Sequence, residues 1–399
     1  MDLTFAVERW GHQVRALVLD LILIFGALLL CGSLAHALDA SDQWSSVRAE
    51  GMGGAYTAVV NDSDSLFYNP AGLAGQTRFE WQIFDIGVGA NGYENISTLQ
   101  NVVSGGSNNL ATNLQQLYGK RVWFGGHAKS AILIPSFAMS AFTATGAGIS
   151  VSNPANTEMN LDYFFDYGFA AGGGFELVPQ FMKFGLSARR FNRTGTNLPI
   201  GAATLANLDT AALQDELKRR GTGYAADLGL DFTLPGPVSP TLSAVYRNAG
   251  VTTFSHEEGA GAPPPIQPEF IVGGAMKFSG GLIDITPAID YRHLEDTTMQ
   301  IGKKLHMGVE IAMPFLTLRG GLNQGYWTAG AGFNFWLLHV EAASYGVELG
   351  AYPGQQEDRR YVANISFQLG FDPGSFGFGG SSANGGADGG SRPHLKQRR

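Results

Sequence analysis

The chain has 399 residues, a formal net charge of -8 at pH 7 and only 15% charged residues. This charge balance argues against nucleic-acid binding, which needs clusters of Lys and Arg. The 55 glycines and 26 phenylalanines occur together with a mean hydropathy near zero, which is high for a glycine-rich soluble protein. Strands with one apolar and one polar face give this balance in proteins that lie in a membrane.

Residues 1–37 have the features of a secretory signal peptide. Two arginines precede an apolar run that ends at Leu30, and Ala35-His36-Ala37 places small residues at the spacing of a cleavage site. The run is about 15 residues long, shorter than the roughly 20 that a transmembrane helix needs. We therefore predict export, with the signal removed. Cys31 is the only cysteine, so cleavage leaves no thiol for a disulfide, a metal site or a nucleophile.

Residues 48–74 form a distinctive motif, RAEGMGGAYTAVVNDSDSLFYNPAGLA. The glycines near its start permit positive φ angles and close approach of the backbone. Asn69 before Pro70 favours a turn, because proline disfavours a helical conformation in the residue before it. A segment this short and this bent cannot form a domain. We predict an irregular plug that packs against a larger structure.

The motif resembles the N-terminal segment of the FadL/TodX-like outer-membrane β-barrels, including the PorV-like branch, which is an accessory to type IX secretion. The resemblance implies that residues 38–75 fold into the lumen of a barrel as a hatch. It also implies hatch and gating residues near both ends of the motif: Gly51, Met52, Gly53, Gly54, Asn69, Pro70, Ala71 and Gly72. The motif by itself does not distinguish the two branches.

The chain from residue 76 to residue 371 alternates between apolar and polar residues, as in LHMGVEIA at 305–312. Successive strand residues point to opposite faces, so each such segment has one apolar and one polar face. Tight connections follow the even-numbered strands, which is typical of outer-membrane barrels. We predict about 14 strands, at 78–90, 121–134, 137–151, 158–177, 180–195, 221–234, 240–254, 268–279, 281–294, 302–313, 314–323, 325–336, 337–346 and 358–371.

The predicted fold is all-β. It is a transmembrane antiparallel β-barrel of about 14 strands over residues 76–371, with an N-terminal hatch segment in its lumen. Residues 372–399 are rich in Gly and Ser and end in a basic stretch, a composition that cannot bury a core. We expect this tail to be disordered. The expected location is the cell outer membrane, where membrane lipid and the insertion machinery are partners.

Two of the longer loops, near residues 107–119 and 204–220, have leucines at helical spacing. In FadL-like proteins, helical outer loops form an initial site for apolar ligands. The resemblance thus gives a set of ligand-loop candidates: Leu110, Leu114, Leu117, Leu205, Leu208, Leu213 and Leu217. The alternative is a lid that packs on the rim of its own barrel.

No catalytic, metal or cofactor motif is evident in the sequence. It contains no Walker loop, HExxH or GxSxG, and a Ser366–His339 pair on neighbouring strands has no spacing signal in its favour. We therefore predict no enzyme, no metal site and no cofactor. The predicted inward residues carry both signs of charge, which favours mutual ion pairs: Lys183, Arg189, Asp227, Asp231, Asp284, Asp290, Arg292, Lys304, His306, Glu310, Arg319, Glu341 and Arg360.

The resemblance implies two alternative functions. One is passive, hatch-gated uptake of hydrophobic small molecules such as long-chain fatty acids. The other is a PorV-like role, in which the barrel binds an exported protein and the hatch is a permanent plug. The many inward charges weigh against an apolar pocket, whereas the glycines and the Asn69-Pro70 turn suit a hatch that moves.

Overall fold

The computed structural model describes residues 44–92, 95, 118–152, 158–201 and 210–371. The predicted signal peptide and the predicted disordered tail lie outside the described residues. Five ligand-loop candidates also lie outside them: Leu110, Leu114, Leu117, Leu205 and Leu208.

Fourteen strands make up most of the described residues. They are β1 Phe79–Asn91, β2 Arg121–Ile134, β3 Phe137–Ser152, β4 Glu158–Val178, β5 Met182–Gly201, β6 Arg220–Thr233, β7 Thr241–Arg247, β8 Glu269–Ala275 with Phe278–Ser279, β9 Asp284–Tyr291, β10 Leu305–Ala312, β11 Leu316–Asn323, β12 Tyr326–Phe335, β13 Leu338–Glu348 and β14 Glu357–Phe371. The two parts of β8 form one strand, because both pair with β9. The predicted strand number is confirmed.

Each strand pairs antiparallel with the next strand along the chain, and the sheet closes on itself. β14 and β1 make the closure, with Phe371 opposite Phe79 and Tyr361 opposite Ala90. A closed ladder leaves no free sheet edge, which is the condition for strands to lie in lipid. The prediction of a closed antiparallel barrel is therefore confirmed.

The outer face of the barrel is apolar. On β9, Ile285 and Ile289 are exposed, whereas Asp284 and Asp290 on the opposite face are buried. Large exposed apolar side chains recur around the sheet, among them Trp81, Val88, Phe169, Leu186, Tyr224, Val340 and Ile365. Such a surface is stable against lipid, with the polar residues of each strand turned inward. No helix in the described part of the chain is long and apolar enough to cross a membrane.

Tight turns follow β2, β4 and β12, as predicted, whereas seven residues, 234–240, connect β6 to β7. Ser136 after β2 and Trp336 after β12 have φ angles of 64° and 56°, because a two-residue reversal between twisted strands needs left-handed backbone. One predicted strand, 240–254, is too long. β7 ends at Arg247, because Asn248 has a φ angle of 49° and turns the chain out of the sheet.

Three short helices accompany the barrel: α1 Val47–Gly51, α2 Thr210–Leu217 and α3 Ile301–Lys304. α2 lies in one of the loops that were predicted to be helical. Its Leu213 packs against a cluster of Val151, Met159 and Ile200 on β3, β4 and β5, and Leu217 is half-buried. This packing fits the alternative of a lid on the barrel rim.

The N-terminal segment, residues 44–75, lies inside the barrel, and we call it the lumen segment. It contains α1 and two 3-10 turns, Ser63–Leu66 and Pro70–Gly75. Its apolar side chains, including the fully buried Tyr56, form one core cluster with wall residues such as Phe191. The barrel interior is therefore a packed core over much of its volume.

Candidate functional site: the lumen segment and its cavity

The lumen segment rests on two rows of inward-facing glycines. The first row lies on β4, β5 and β6, where Gly174 opposes Gly185 and Gly185 opposes Gly229. A Cβ atom at Gly185 would lie 2.1 Å from the carbonyl carbon of Pro70 and 2.2 Å from the amide nitrogen of Ala71. The two backbones therefore touch directly, which only glycine allows.

The second glycine row lies across the barrel on β10, β11 and β12. There Gly308 opposes Gly321, and a Cβ atom at Gly308 would lie 2.1 Å from the carbonyl oxygen of Met52. A Cβ atom at Gly330 would lie 2.9 Å from the Cα atom of Gly51. Because the two rows lie on opposite walls, the lumen segment spans the lumen.

A chain of ion pairs joins α1 to the second wall. Arg48 Nη2 donates to Glu310 Oε1 at 2.8 Å, and Arg319 Nε donates to Glu310 Oε2 at 2.8 Å. Arg319 Nη2 in turn donates to Glu341 Oε1 at 2.9 Å. Arg48 also donates to Asp62 at 3.2 Å. Burial lowers the pKa of Arg48, but the carboxylates of Glu310 and Asp62 outweigh burial and raise that pKa above its usual value.

Asp290 on β9 holds the middle of the lumen segment. Its Oδ2 accepts hydrogen bonds from Tyr56 N at 2.9 Å, Thr57 N at 2.9 Å and Thr57 Oγ1 at 2.6 Å. Asn69 Nδ2 donates to Thr57 O at 2.9 Å and to Asp231 Oδ1 on β6 at 2.7 Å. A continuous polar path of hydrogen bonds thus runs from β9 through the lumen segment to β6. Burial in this region also raises the pKa of the Tyr56 phenol well above its usual value.

The structure places the predicted gating residues inside the barrel in two groups, residues 51–54 at the second glycine row and residues 69–72 at the first. Gly53 and Gly54 have φ angles of 67° and 80°. Gly72 differs from the others, because a Cβ atom there would lie 2.4 Å from Val60 O within the lumen segment itself. The two described ligand-loop candidates, on α2 at the rim, are not part of this site. The gating role of the residues in the lumen stays a prediction.

Sequence reasoning placed Asp231, Asp290 and Glu310 among the inward charges, but it missed Lys129 and the charged residues of the lumen segment itself. Asp64 forms an ion pair with Lys129 on β2 and accepts a hydrogen bond from Trp44 Nε1 at 3.1 Å. Trp44 stacks on Phe67 with ring centroids 4.6 Å apart. The available signal was the presence of charged residues such as Arg48 and Asp64 in a motif that packs into a core, since buried charges need partners.

A cavity lies beside α1, between the lumen segment and the wall formed by β14 and β1 to β4. Its lining includes Ser45, Val47, Trp123, His127, Phe164 and Val362. Its empty volume is about 410 Å³ when the open solvent space at its mouth is counted with it. A Cβ atom at Gly125 would lie 2.3 Å from the Trp123 ring, and one at Gly87 would lie 2.2 Å from the His127 ring. These rings therefore lie against bare backbone at the wall of the cavity.

The charges behind the cavity are paired. Arg360 packs over the Trp123 ring at 4.4 Å, and Arg193 packs over the Phe164 ring at 5.2 Å. Arg193 also donates to both carboxylate oxygens of Asp166, at 2.8 and 2.7 Å. The predicted mutual pairing of inward charges is confirmed at Arg189–Asp227, Arg319–Glu310 and Arg319–Glu341. The cavity therefore presents aromatic rings to a ligand.

The His339–Ser366 pair considered in the sequence is found on neighbouring strands. The two residues are register partners on β13 and β14, but both are buried, and His339 Nδ1 lies 2.7 Å from Asn334 Oδ1. The pair is not presented to a substrate. Among the described residues, no group of three or more His, Cys, Asp or Glu side chains is placed to hold a metal ion.

Neither a protein-family model nor a curated protein matches the sequence. Several solved structures are similar to the chain. The toluene transporter TodX of P. putida has 13% identity and a TM-score of 0.46, over 83% of this chain and 100% of that chain. The toluene transporter TbuX of Ralstonia pickettii has 13% identity and a TM-score of 0.46, over 82% and 98%. CymD, a monoaromatic hydrocarbon channel, has 11% identity and a TM-score of 0.46, over 81% and 97%.

Proposed function

We propose that this chain is an outer-membrane channel for passive uptake of hydrophobic small molecules. The observation that carries the proposal is the cavity lined by Trp123 and Phe164, inside a closed barrel with an apolar outer face. Aromatic rings with a few polar groups are typical of sites for apolar ligands. The proposal includes removal of residues 1–37, insertion by the outer-membrane machinery and a hatch role for residues 38–75.

The proposed ligand class includes single-ring hydrocarbons and long acyl chains. Toluene and monoaromatic hydrocarbons are the compounds named for TodX, TbuX and CymD, and toluene is therefore one test ligand. A long-chain fatty acid is the other, as the sequence motif implies. The two differ in shape, because toluene is a single flat ring, whereas a long acyl chain needs an extended track.

A second function, binding of an exported protein in the manner of the PorV-like branch, is supported by a different observation. The lumen segment is joined to opposite walls by the Arg48–Glu310 and Asp64–Lys129 ion pairs and by the two glycine rows. Such fixation suits a permanent plug. In that case the barrel has no passage for ligands, and its partner is a polypeptide.

The experiment that tests the proposed function is mass spectrometry of organic extracts from the barrel purified in mild detergent, with an unrelated barrel as control. Specific enrichment of an aromatic hydrocarbon or a fatty acid supports uptake. Uptake of labelled toluene and labelled fatty acid into proteoliposomes then measures passage. Absence of both enrichment and passage, together with a co-purifying exported protein, contradicts uptake and favours the PorV-like role.

Filling the cavity should slow passage while the barrel stays intact. Val362 on β14 lines the cavity, and Ala363 next to it is exposed on the outer face. We expect Val362→Phe to lower the uptake rate on the order of tenfold, because the added ring occupies the space of the ligand. Ala363→Phe is the matched control and should transport normally. Equal uptake by both variants would contradict a role for this cavity.

A further inference from the structure

His127 is a polar ring in the lining of a cavity whose other large side chains are aromatic or aliphatic. Two hydroxyl side chains also line the cavity, and both already donate to protein acceptors. Ser45 Oγ donates to Glu50 Oε1 at 2.7 Å, and Thr145 Oγ1 donates to Phe164 O at 3.0 Å. The His127 side chain keeps 9% of its surface accessible. It is therefore the polar group of this lining that can meet a ligand.

The orientation of the His127 ring is fixed by three contacts. Its Nε2 lies 3.5 Å from Asp85 Oδ1. The ring packs against the Trp44 ring with centroids 4.6 Å apart. It also covers the backbone of its register partner Gly87, where a Cβ atom would lie 2.2 Å from His127 Cε1. A ring held in this way presents its remaining polar atom in a constant position, which lowers the entropic cost of binding.

The remaining polar atom is Nδ1, since Nε2 is turned to Asp85. Among the residues that the structure describes, none forms a hydrogen bond with His127 Nδ1. With a carboxylate beside Nε2, a neutral imidazole carries its proton on Nε2 and offers an acceptor at Nδ1, whereas an imidazolium offers a donor there. A hydroxyl group both donates and accepts. A hydroxyl on a ligand can therefore bond Nδ1 in either state of the ring.

The charges around His127 do not favour a ligand carboxylate. Lys129 lies between two carboxylates, because it forms an ion pair with Asp64 and its Nζ is 3.7 Å from Asp85 Oδ2. With a neutral His127 this group has one more anion than cations, and with a protonated His127 it is balanced. The arginines behind the cavity are paired as well. A carboxylate in the cavity would thus be desolvated without a counterion of its own, which is costly.

We propose that His127 sets the ligand specificity of the cavity, and that the cavity prefers aromatic molecules with a hydroxyl group to bare hydrocarbons and to aromatic carboxylates. The aromatic lining binds the ring of the ligand, and Nδ1 of His127 binds its hydroxyl group. This inference deepens the proposed function and rests on it, because it names the ligand class of the same cavity.

The test compares toluene with p-cresol, which is toluene with one added hydroxyl group, and with p-toluate, which has a carboxylate in its place. Dissociation constants are measured by isothermal titration calorimetry on the purified full-length barrel in detergent. The readout is the ratio of the toluene constant to the p-cresol constant, in the unsubstituted chain and in His127→Phe. Both proteins are measured in the same detergent, so partition of the ligands into micelles cancels when the two ratios are compared.

We expect His127→Phe, which keeps a ring and removes both nitrogens, to lower the preference for p-cresol on the order of tenfold, as expected for one lost hydrogen bond. His127→Asn should keep most of the preference, because its amide carries a donor and an acceptor near the place of Nδ1. His256→Phe is the matched control, since His256 is exposed in the connection between β7 and β8. Its ratio should equal that of the unsubstituted chain, in which p-toluate should bind more weakly than p-cresol.

Equal ratios in the unsubstituted chain and His127→Phe would overturn the assignment of His127. Tighter binding of p-toluate than of p-cresol to the unsubstituted chain would overturn the preference for a hydroxyl group. If His127→Phe does not fold, His127→Gln replaces it. The longer amide reaches the place of Nε2 beside Asp85 and leaves the place of Nδ1 empty, so the same loss of preference is expected.

The ratio reports binding, whereas the proteoliposome assay reports passage, so the two proposals fail separately. A preference for p-cresol that depends on His127, without passage of toluene or p-cresol, would overturn uptake and leave the ligand assignment standing. Passage with equal ratios would overturn the ligand assignment and leave uptake standing.

Discussion

Replacing Arg319 with methionine should lower the free energy of unfolding of the barrel by about 3–5 kcal/mol, the usual cost of removing one partner from a buried ion pair. Arg319 lies at the centre of the chain of charges, where it donates to both Glu310 and Glu341. Its side chain is buried, so water cannot replace the lost guanidinium. The measurement is equilibrium unfolding by guanidinium chloride in detergent micelles, followed by tryptophan fluorescence.

Arg190→Met is the matched control, because Arg190 is exposed on β5 and its neighbour Arg189 faces inward. We expect the control to stay within about 0.5 kcal/mol of the unsubstituted chain, as exposed substitutions usually do. A similar loss in both variants would mean that the inward charges contribute no more to stability than surface charges. That result would contradict the structural role assigned to the Arg319 pairs.

Gly185→Ala should release the C-terminal end of the lumen segment from the wall. The added Cβ atom would lie 2.1 Å from the carbonyl carbon of Pro70 and 2.2 Å from Ala71 N. These are backbone atoms, so no rotamer change relieves the overlap, and overpacking of this kind costs about 1–3 kcal/mol or more. We expect a lower unfolding midpoint and faster hydrogen exchange at residues 66–75. Both quantities are measured on the detergent-solubilised barrel.

Gly320→Ala is the control for this substitution, because Gly320 points to the outer face of β11. The nearest atom to an added Cβ there is Thr328 O at 3.8 Å, an ordinary contact. We expect its unfolding midpoint and hydrogen exchange to match those of the unsubstituted chain. If Gly185→Ala also has the midpoint and hydrogen exchange of the unsubstituted chain, the glycine rows do not hold the lumen segment in place. The contacts between the lumen segment and the wall must then be weaker than the structure indicates.

The two glycine rows and the inward ion pairs act together. The glycines remove side chains where the backbone of the lumen segment meets the wall, as at Gly185 and Gly308. Charged side chains such as Glu310 and Asp290 then bond that backbone or its side chains. The hydrogen bonds can form because the backbone of the lumen segment lies close to the wall. They also satisfy the polar groups that this close approach buries. This is why substitutions of either kind are expected to displace the same segment.

The sequence by itself determined the barrel. Alternation of apolar and polar residues is a local property, since each strand residue faces opposite to its neighbours, so strands such as β9 and β10 could be predicted one at a time. The number of strands and the tight turns after β2, β4 and β12 followed from the same pattern. The mixed signs of the inward residues also predicted their mutual pairing, which the Arg319–Glu310 pair confirms.

The tertiary structure decided what the lumen segment touches. Arg48 and Glu310 are 262 positions apart in the chain, and no local pattern relates them. Their contact depends on barrel closure, on strand register and on the path of the segment across the lumen. The cavity depends on the same three conditions, because Val47, Trp123 and Val362 meet only when β14 pairs with β1. Local periodicity specifies which face a residue occupies, whereas only closure of the sheet specifies its neighbour across the lumen.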